Sequence, residues 1–145
     1  MTKENKKNTK GEAILTKFRK ELEEDSKVDL TNLMSDIMMT TTLQSKWLNY
    51  HSRFKESYII NHKKLKELRA SKFLDTLTGV NGYEVTSREA SKLMDGDKDI
   101  VDLEEKIAII EAVLDFFSDA QKIIRDKAFA ISNIIRLKEF EAGMM

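Results

Sequence analysis

The 145-residue chain carries 25 basic and 25 acidic residues, so its formal net charge is zero, and 41% of its residues are hydrophobic and 34% charged. It has no cysteine and only two histidines, His51 and His62. That excludes disulfides, thiolate metal sites and cysteine nucleophiles, and leaves little from which to build a histidine-based catalytic or metal site. It also has no proline, only five glycines and a start that is polar and lysine-rich. Such a chain can run long helices without forced breaks, and with no apolar stretch at its start it is expected to be a soluble cytoplasmic protein.

In chain order, residues 1–11 read as a disordered basic tail, because they lack the apolar groups that offset the entropy of ordering. A short amphipathic helix is expected over 12–25, with Ile14, Leu15, Phe18 and Leu22 three to four residues apart. A long helical region follows over 30–77, with Asp29 or Thr31 as its cap. Its apolar positions Leu30, Leu33, Met34, Ile37, Met38, Trp47, Phe54, Tyr58, Leu65 and Leu68 form a near-heptad seam with polar interruptions. As one helix it would be about 70 Å long at the usual rise. The run Thr40-Thr41-Thr42 is its expected weak point, since β-branched residues are poor helix formers.

Gly79, Asn81 and Gly82 mark the end of that region, and Tyr83-Glu84-Val85 reads as extended. Thr86 with Glu89 has capping-box spacing and should open a short helix to about Met94, which Asp95-Gly96-Asp97 breaks. Asp102 with Glu105 repeats the pattern and is expected to open a long C-terminal helix over 102–141. One apolar seam of that helix contains Ile107, Ile110, Leu114, Phe117, Ile124 and Ile131. A second contains Ile109, Val113, Phe116, Ala120, Ile123, Ala130, Ile134 and Leu137. Together they cover about half the circumference, more than a two-stranded coiled coil uses. The expectation is an oligomeric core in which Ile107, Ile110, Leu114, Phe117, Ile124 and Ile131 meet other subunits. The competing arrangement is an intramolecular bundle with the long second helix folded back.

The fold class expected is therefore all-α, with long helices and a short turn-rich linker. The regions are a tail (1–11), an N-terminal helical DNA-binding region (12–78), a linker with a short helix (79–101) and a C-terminal oligomerisation helix (102–145).

Little in the chain supports catalysis, and no cofactor or metal is expected. The acidic group Asp95, Asp97, Asp99, Asp102, Glu104 and Glu105 could attract a hard cation, but a calcium loop opening at Asp95 would need Gly and Glu where Ile100 and Lys106 stand. Negative charge at a helix N-terminus is the simpler reading. No Walker-type or glycine-rich phosphate loop is present.

The charge is segregated. Between residues 53 and 72 lie seven basic side chains, Arg53, Lys55, Lys63, Lys64, Lys66, Arg69 and Lys72, against the two acids Glu56 and Glu67. Between residues 95 and 119 lie nine acids against Lys98 and Lys106. Cations strung along a helix suit a phosphate backbone, and Trp47, Tyr50, Phe54 and Tyr58 just upstream are either components of a stacking surface for single strands or core. On composition alone, an anionic membrane or an acidic protein fits the basic run as well.

Several short runs, taken in order, resemble the UvsY family: Ser45-Lys46-Trp47-Leu48-Asn49 with His51-Ser52, Leu74-Asp75 before Gly79, Asp97-Lys98-Asp99, Leu114-Asp115-Phe116, Phe129-Ala130-Ile131, and Phe140-Glu141-Ala142-Gly143. The similarity spans residues 20–143. It implies a non-enzymatic recombination mediator acting in the host cytoplasm. Such a protein binds single-stranded DNA and contacts both a RecA-like recombinase (UvsX-like) and the phage single-strand-binding protein. It helps load the recombinase on strands already covered. It implies hexamer or heptamer assemblies through C-terminal helices. The family's DNA-contacting basic pair lies in a Leu-Lys-Ala-Arg-Leu-Asp stretch; here Leu68-Arg69-Ala70-Ser71-Lys72-Phe73-Leu74-Asp75 carries an insertion, and the resemblance points to Arg69 and Lys72. The rival functions are a coiled-coil scaffold that binds no DNA and a metal-dependent nuclease built on the acidic group.

Overall fold

The computed structural model describes residues 3–78 and 85–143, with side chains from residue 10. Every element within them is a helix: α1 (Lys3–Ser26), α2 (Leu33–Leu77), α3 (Ser87–Asp95) and α4 (Lys98–Glu141). The turn expected at Gly79, Asn81 and Gly82 and the extended pair Tyr83-Glu84 lie outside the described residues.

Three boundaries differ from the sequence expectation. α1 starts at Lys3, so most of the segment expected as a disordered tail is helical. Its lysines and glutamates are good helix formers and nothing there forbids extension of a helix nucleated further on. α2 is capped by Asn32, whose Oδ1 accepts the amide of Ser35 at 3.2 Å. Asp29 instead closes the preceding turn, its Oδ1 accepting the amide of Thr31 at 2.9 Å. α4 opens one turn before Asp102. Asp97 is its cap, with Oδ1 accepting the amides of Asp99 at 3.0 Å and Ile100 at 3.2 Å. The extra turn allows Ile100 to be completely buried, which a start at Asp102 would leave in a loop. The capping box of Thr86 and Glu89 forms as expected, in both directions.

The threonine run does not break α2. Thr40 is buried, and its hydroxyl donates to the carbonyl of Ile37 at 2.6 Å, so the polar group is satisfied within the helix. Asn61, also buried, does the same with the carbonyl of Ser57 at 2.7 Å. Polar residues thus interrupt the seam without leaving unmade hydrogen bonds.

The chain forms two compact units that cut across the long helices: Met1–Arg53 with Val113–Met145, and Phe54–Ala112. In the first, α1 is docked. Phe18 and Leu22 are buried together with Leu33, Trp47, Val113, Phe117, Ala120, Ile124 and Ile131. The rings interlock edge to face, Phe18 on Phe117 at 4.8 Å and Phe18 on Tyr50 at 5.2 Å between centroids. Polar contacts tie the rim. The indole N–H of Trp47 donates to Asp25 Oδ2 at 3.0 Å, and the Tyr50 hydroxyl donates to Glu21 Oε1 at 2.7 Å. Lys46 bonds both carboxylates. Beneath them, the buried ammonium of Lys127 donates to the carbonyl of Asp25 at 2.9 Å and pairs with Asp36 at 3.0 Å.

The second unit joins residues 54–77 of α2, α3, and the first turns of α4. Ala90, Met94, Ile100, Ile107 and Ile110 are its buried apolar residues.

Candidate nucleic-acid interface

The seven cations of the basic run all lie on α2, and a helix of 3.6 residues per turn sorts them into two sets. The core side of this part of α2 is fixed by Phe54, Tyr58, Asn61, Leu65 and Leu68, all buried or half-buried. Arg53, Lys55, Lys63, Lys64 and Lys66 fall off that core side and are exposed, Lys63 opposite it and the others on its two flanks. Lys55, Lys63 and Lys66 share one stripe, spanning about 16 Å along the axis. Lys63 has a loose partner in Glu67 at 4.0 Å, both side chains more than 60% exposed, a contact worth little in water. Ile59 and Ile60 are exposed among these cations.

Arg69 and Lys72 lie at the edge facing α4 and are not free. Arg69 pairs with Glu104. The ammonium of Lys72 lies 3.0 Å from Asp97 Oδ2 and 3.2 Å from Asp99 Oδ2. The hydrogen bonds that Lys72 donates to Asp97 and then to Asp99 raise its pKa, and the bond from Lys72, followed by that from the Ile100 amide, lowers the pKa of Asp97. The acidic beginning of α4 therefore docks against the basic helix through two of its seven cations. Sequence reading identified both charge runs but not this pairing; their opposite sign was the only signal for it.

The aromatic residues upstream do not form a stacking surface. Trp47 is completely buried. Tyr50 stacks on Phe117 at 5.7 Å, and Tyr58 is half-buried, lies against His62 and carries the Lys55 ammonium 5.3 Å above its ring. The surface offers cations and aliphatic groups, a chemistry for phosphate and sugar.

The six residues expected at subunit contacts, Ile107, Ile110, Leu114, Phe117, Ile124 and Ile131, are all buried within the chain itself. A broad apolar face needs more than one neighbour, and the chain's own helices supply them. Of the second seam, Val113 and Ala120 are also buried, and only its later positions are left open. Ile123, Ala130 and Leu137 are exposed at seven-residue intervals, with Phe140 three residues beyond and Phe129 beside them. Among the described residues no group of three or more histidine or acidic side chains is placed to hold a metal ion, and no helix is long and apolar enough to cross a membrane.

A family model described as "Recombination, repair and ssDNA binding protein UvsY" matches residues 21–144. The chain belongs to the UvsY family. It is 31% identical over 138 residues to the recombination protein UvsY of Enterobacteria phage T4, covering 89% of this chain and 98% of that one. A crystal structure of the bacteriophage T4 recombination mediator protein UvsY superposes with a TM-score of 0.78 at 28% identity over 88% of this chain and 98% of the other. A second lattice of the same T4 protein gives a TM-score of 0.74 at 29% identity, over 88% and 97%. The all-helical fold is thus that of UvsY, and the UvsY match begins inside α1, leaving the first twenty residues outside it.

Proposed function

We propose that this UvsY-family chain is a recombination mediator that binds single-stranded DNA along α2. The observation that carries the reading is that Arg53, Lys55, Lys63, Lys64 and Lys66 are all exposed on a chain whose net charge is zero. Local positive charge attracts a polyanion whatever the total, and each phosphate it neutralises releases a condensed counterion. With the aromatic rings committed to packing, binding is expected to be independent of sequence and strongly dependent on salt.

Mediation requires that several such helices act on one strand. The exposed stripe Ile123, Ala130, Leu137 and Phe140 is a heptad seam without an intrachain partner. It supports assembly of several copies, a hexamer or heptamer, through the end of α4. Copies held together present their cations at high effective concentration, loosening a single-strand-binding protein and favouring nucleation by a RecA-like recombinase of the UvsX type, inside the infected host cell.

The test is fluorescence anisotropy of a labelled oligonucleotide over a salt series, followed by recombinase loading on strands pre-covered with single-strand-binding protein. Salt-sensitive binding with faster loading is expected. A chain that ignores the oligonucleotide even in dilute buffer would be a helical scaffold instead.

A further inference from the structure

Within the basic run, Arg69 and Lys72 are the two cations that a strand would meet already paired with carboxylates from beyond α2. Their partners come from the first residues of α4 and from its cap. The geometry at Asp97 divides its carboxylate between two tasks: Oδ1 accepts the amides of Asp99 and Ile100 and so caps α4, while Oδ2 accepts the Lys72 ammonium. Removing Lys72 from Oδ2 therefore leaves the helix cap intact. Asp99, whose side chain is 70% exposed, and Glu104, 42% exposed, face water and lose little when a partner leaves. These pairs can open without unfolding anything.

We infer that the carboxylates of Asp97, Asp99 and Glu104 occupy the places of strand phosphates on Lys72 and Arg69, and that single-stranded DNA must displace them to engage the full length of the basic helix. This guard rests on the nucleic-acid reading above and adds to it a threshold. The outer five cations capture a strand first. The inner two join only when phosphate competes successfully with carboxylate. Each carboxylate that is released takes up a cation from solution, which offsets the counterion that the phosphate gives up. In the unmodified protein Arg69 and Lys72 therefore add affinity for DNA weakly and add little to its salt dependence.

The experiment is a salt series of oligonucleotide binding for the full chain and for Asp97→Asn/Asp99→Asn/Glu104→Gln. Asparagine keeps an oxygen acceptor at the cap and serves there as well as aspartate. A second variant, Asp99→Asn/Glu104→Gln, does not touch the cap and should show the same change to a smaller degree. A control, Glu23→Gln/Asp115→Asn/Asp119→Asn, removes the same charge from exposed positions elsewhere. The expected result is tighter binding by the first two variants, with a slope of log affinity against log salt steeper by about 1.4 for two added phosphate contacts, and little change for the control. Equal tightening by the control, or variants that bind as the parent does or worse, would overturn the guard. Failure of the parent chain to bind at all would instead overturn the nucleic-acid reading, and the guard with it.

Discussion

Lys127 provides the sharpest test of how the first unit is held together. Its side chain is 5% exposed and its partner Asp36 12%. The ammonium spans two elements, the carbonyl of Asp25 at the end of α1 and the carboxylate of Asp36 in the first turn of α2. Lys127→Met keeps the length and the apolar stem but removes both charge-assisted bonds. Breaking a buried pair from one side costs about 3–5 kcal/mol, because the other charge stays buried. Asp36 keeps one donor, the amide of Asp29 at 2.8 Å on Oδ2, which places the expected loss near the lower end, about 3 kcal/mol. In urea, with a slope of about 2 kcal/mol per molar, the unfolding midpoint should fall by about 1.5 M. The measurement is circular dichroism at one fixed subunit concentration, since the proposed assembly would contribute to apparent stability. The double variant Lys127→Met/Asp36→Leu removes both charges and should recover at least about 1 kcal/mol relative to the sum of the single losses. A Lys127→Met midpoint within about 0.5 M of the parent, or strict additivity in the double variant, would show that the buried ammonium is not the pin described here.

Three further outcomes are expected. Lys63→Ala/Lys66→Ala removes two exposed cations from one stripe and should flatten the salt slope of oligonucleotide binding by about 1.4 while leaving the thermal midpoint unchanged. Ile123→Glu/Leu137→Glu places like charges on the open seam of α4 and should yield a folded monomer in sedimentation, with oligonucleotide affinity lower by roughly 10²-fold or more through lost effective concentration; an unchanged assembly would locate the subunit contact elsewhere. At Glu21, burial opposes ionisation, but Lys46 and Tyr50 outweigh it and the pKa is lowered; at Lys46, burial again opposes, and Asp25 and Glu21 raise the pKa. The depressed acid stabilises the fold above its unfolded pKa and ceases to do so as pH falls through the folded value. The raised base stabilises below its unfolded pKa until pH rises through the folded one. The thermal midpoint should thus be flat near neutrality and fall on both sides, and Glu21→Gln should weaken the acid-side fall.

The helical class was legible because nothing in the sequence opposes it: no proline, seams at three- and four-residue steps, and a capping box at Thr86 that the fold uses unchanged. Boundaries were less legible where two caps compete. Asp97 and Asp102 both suit the start of α4, and only the burial of Ile100, a tertiary gain, selects the earlier one. The tail extension of α1 is a similar case, since its residues form helix only as an extension of a docked segment. At the candidate site, the cations could be named from sequence, but not which were free, because pairing of Arg69 with Glu104 crosses 35 residues of chain. The apolar breadth of α4 implies several neighbours, expected from sequence to be other subunits, whereas its first stripe is buried within the chain itself. Which stripe faced inward depends on where α1 and α2 pack, and no periodicity in α4 itself contains that information.

The two charge runs and the two stripes of α4 together give a reason for the proposal that so neutral a chain acts as a group. Five exposed cations on one α2 give a single-strand salt slope of only about −3.5 if each meets a phosphate, so one copy alone holds a strand weakly at cellular ionic strength. More cations on each helix would tighten that grip, yet would also resist handing the strand to a recombinase. Dividing the task between many weak sites would keep an assembly bound while any one site lets go. Arg69 and Lys72, already satisfied by carboxylates, make release of a strand at each site easier still, because the phosphate leaves to a waiting replacement. On the proposed reading, the acidic beginning of α4 and the open stripe at its end would act in opposite senses on one property: the first would lower affinity at each copy, the second would multiply it across copies.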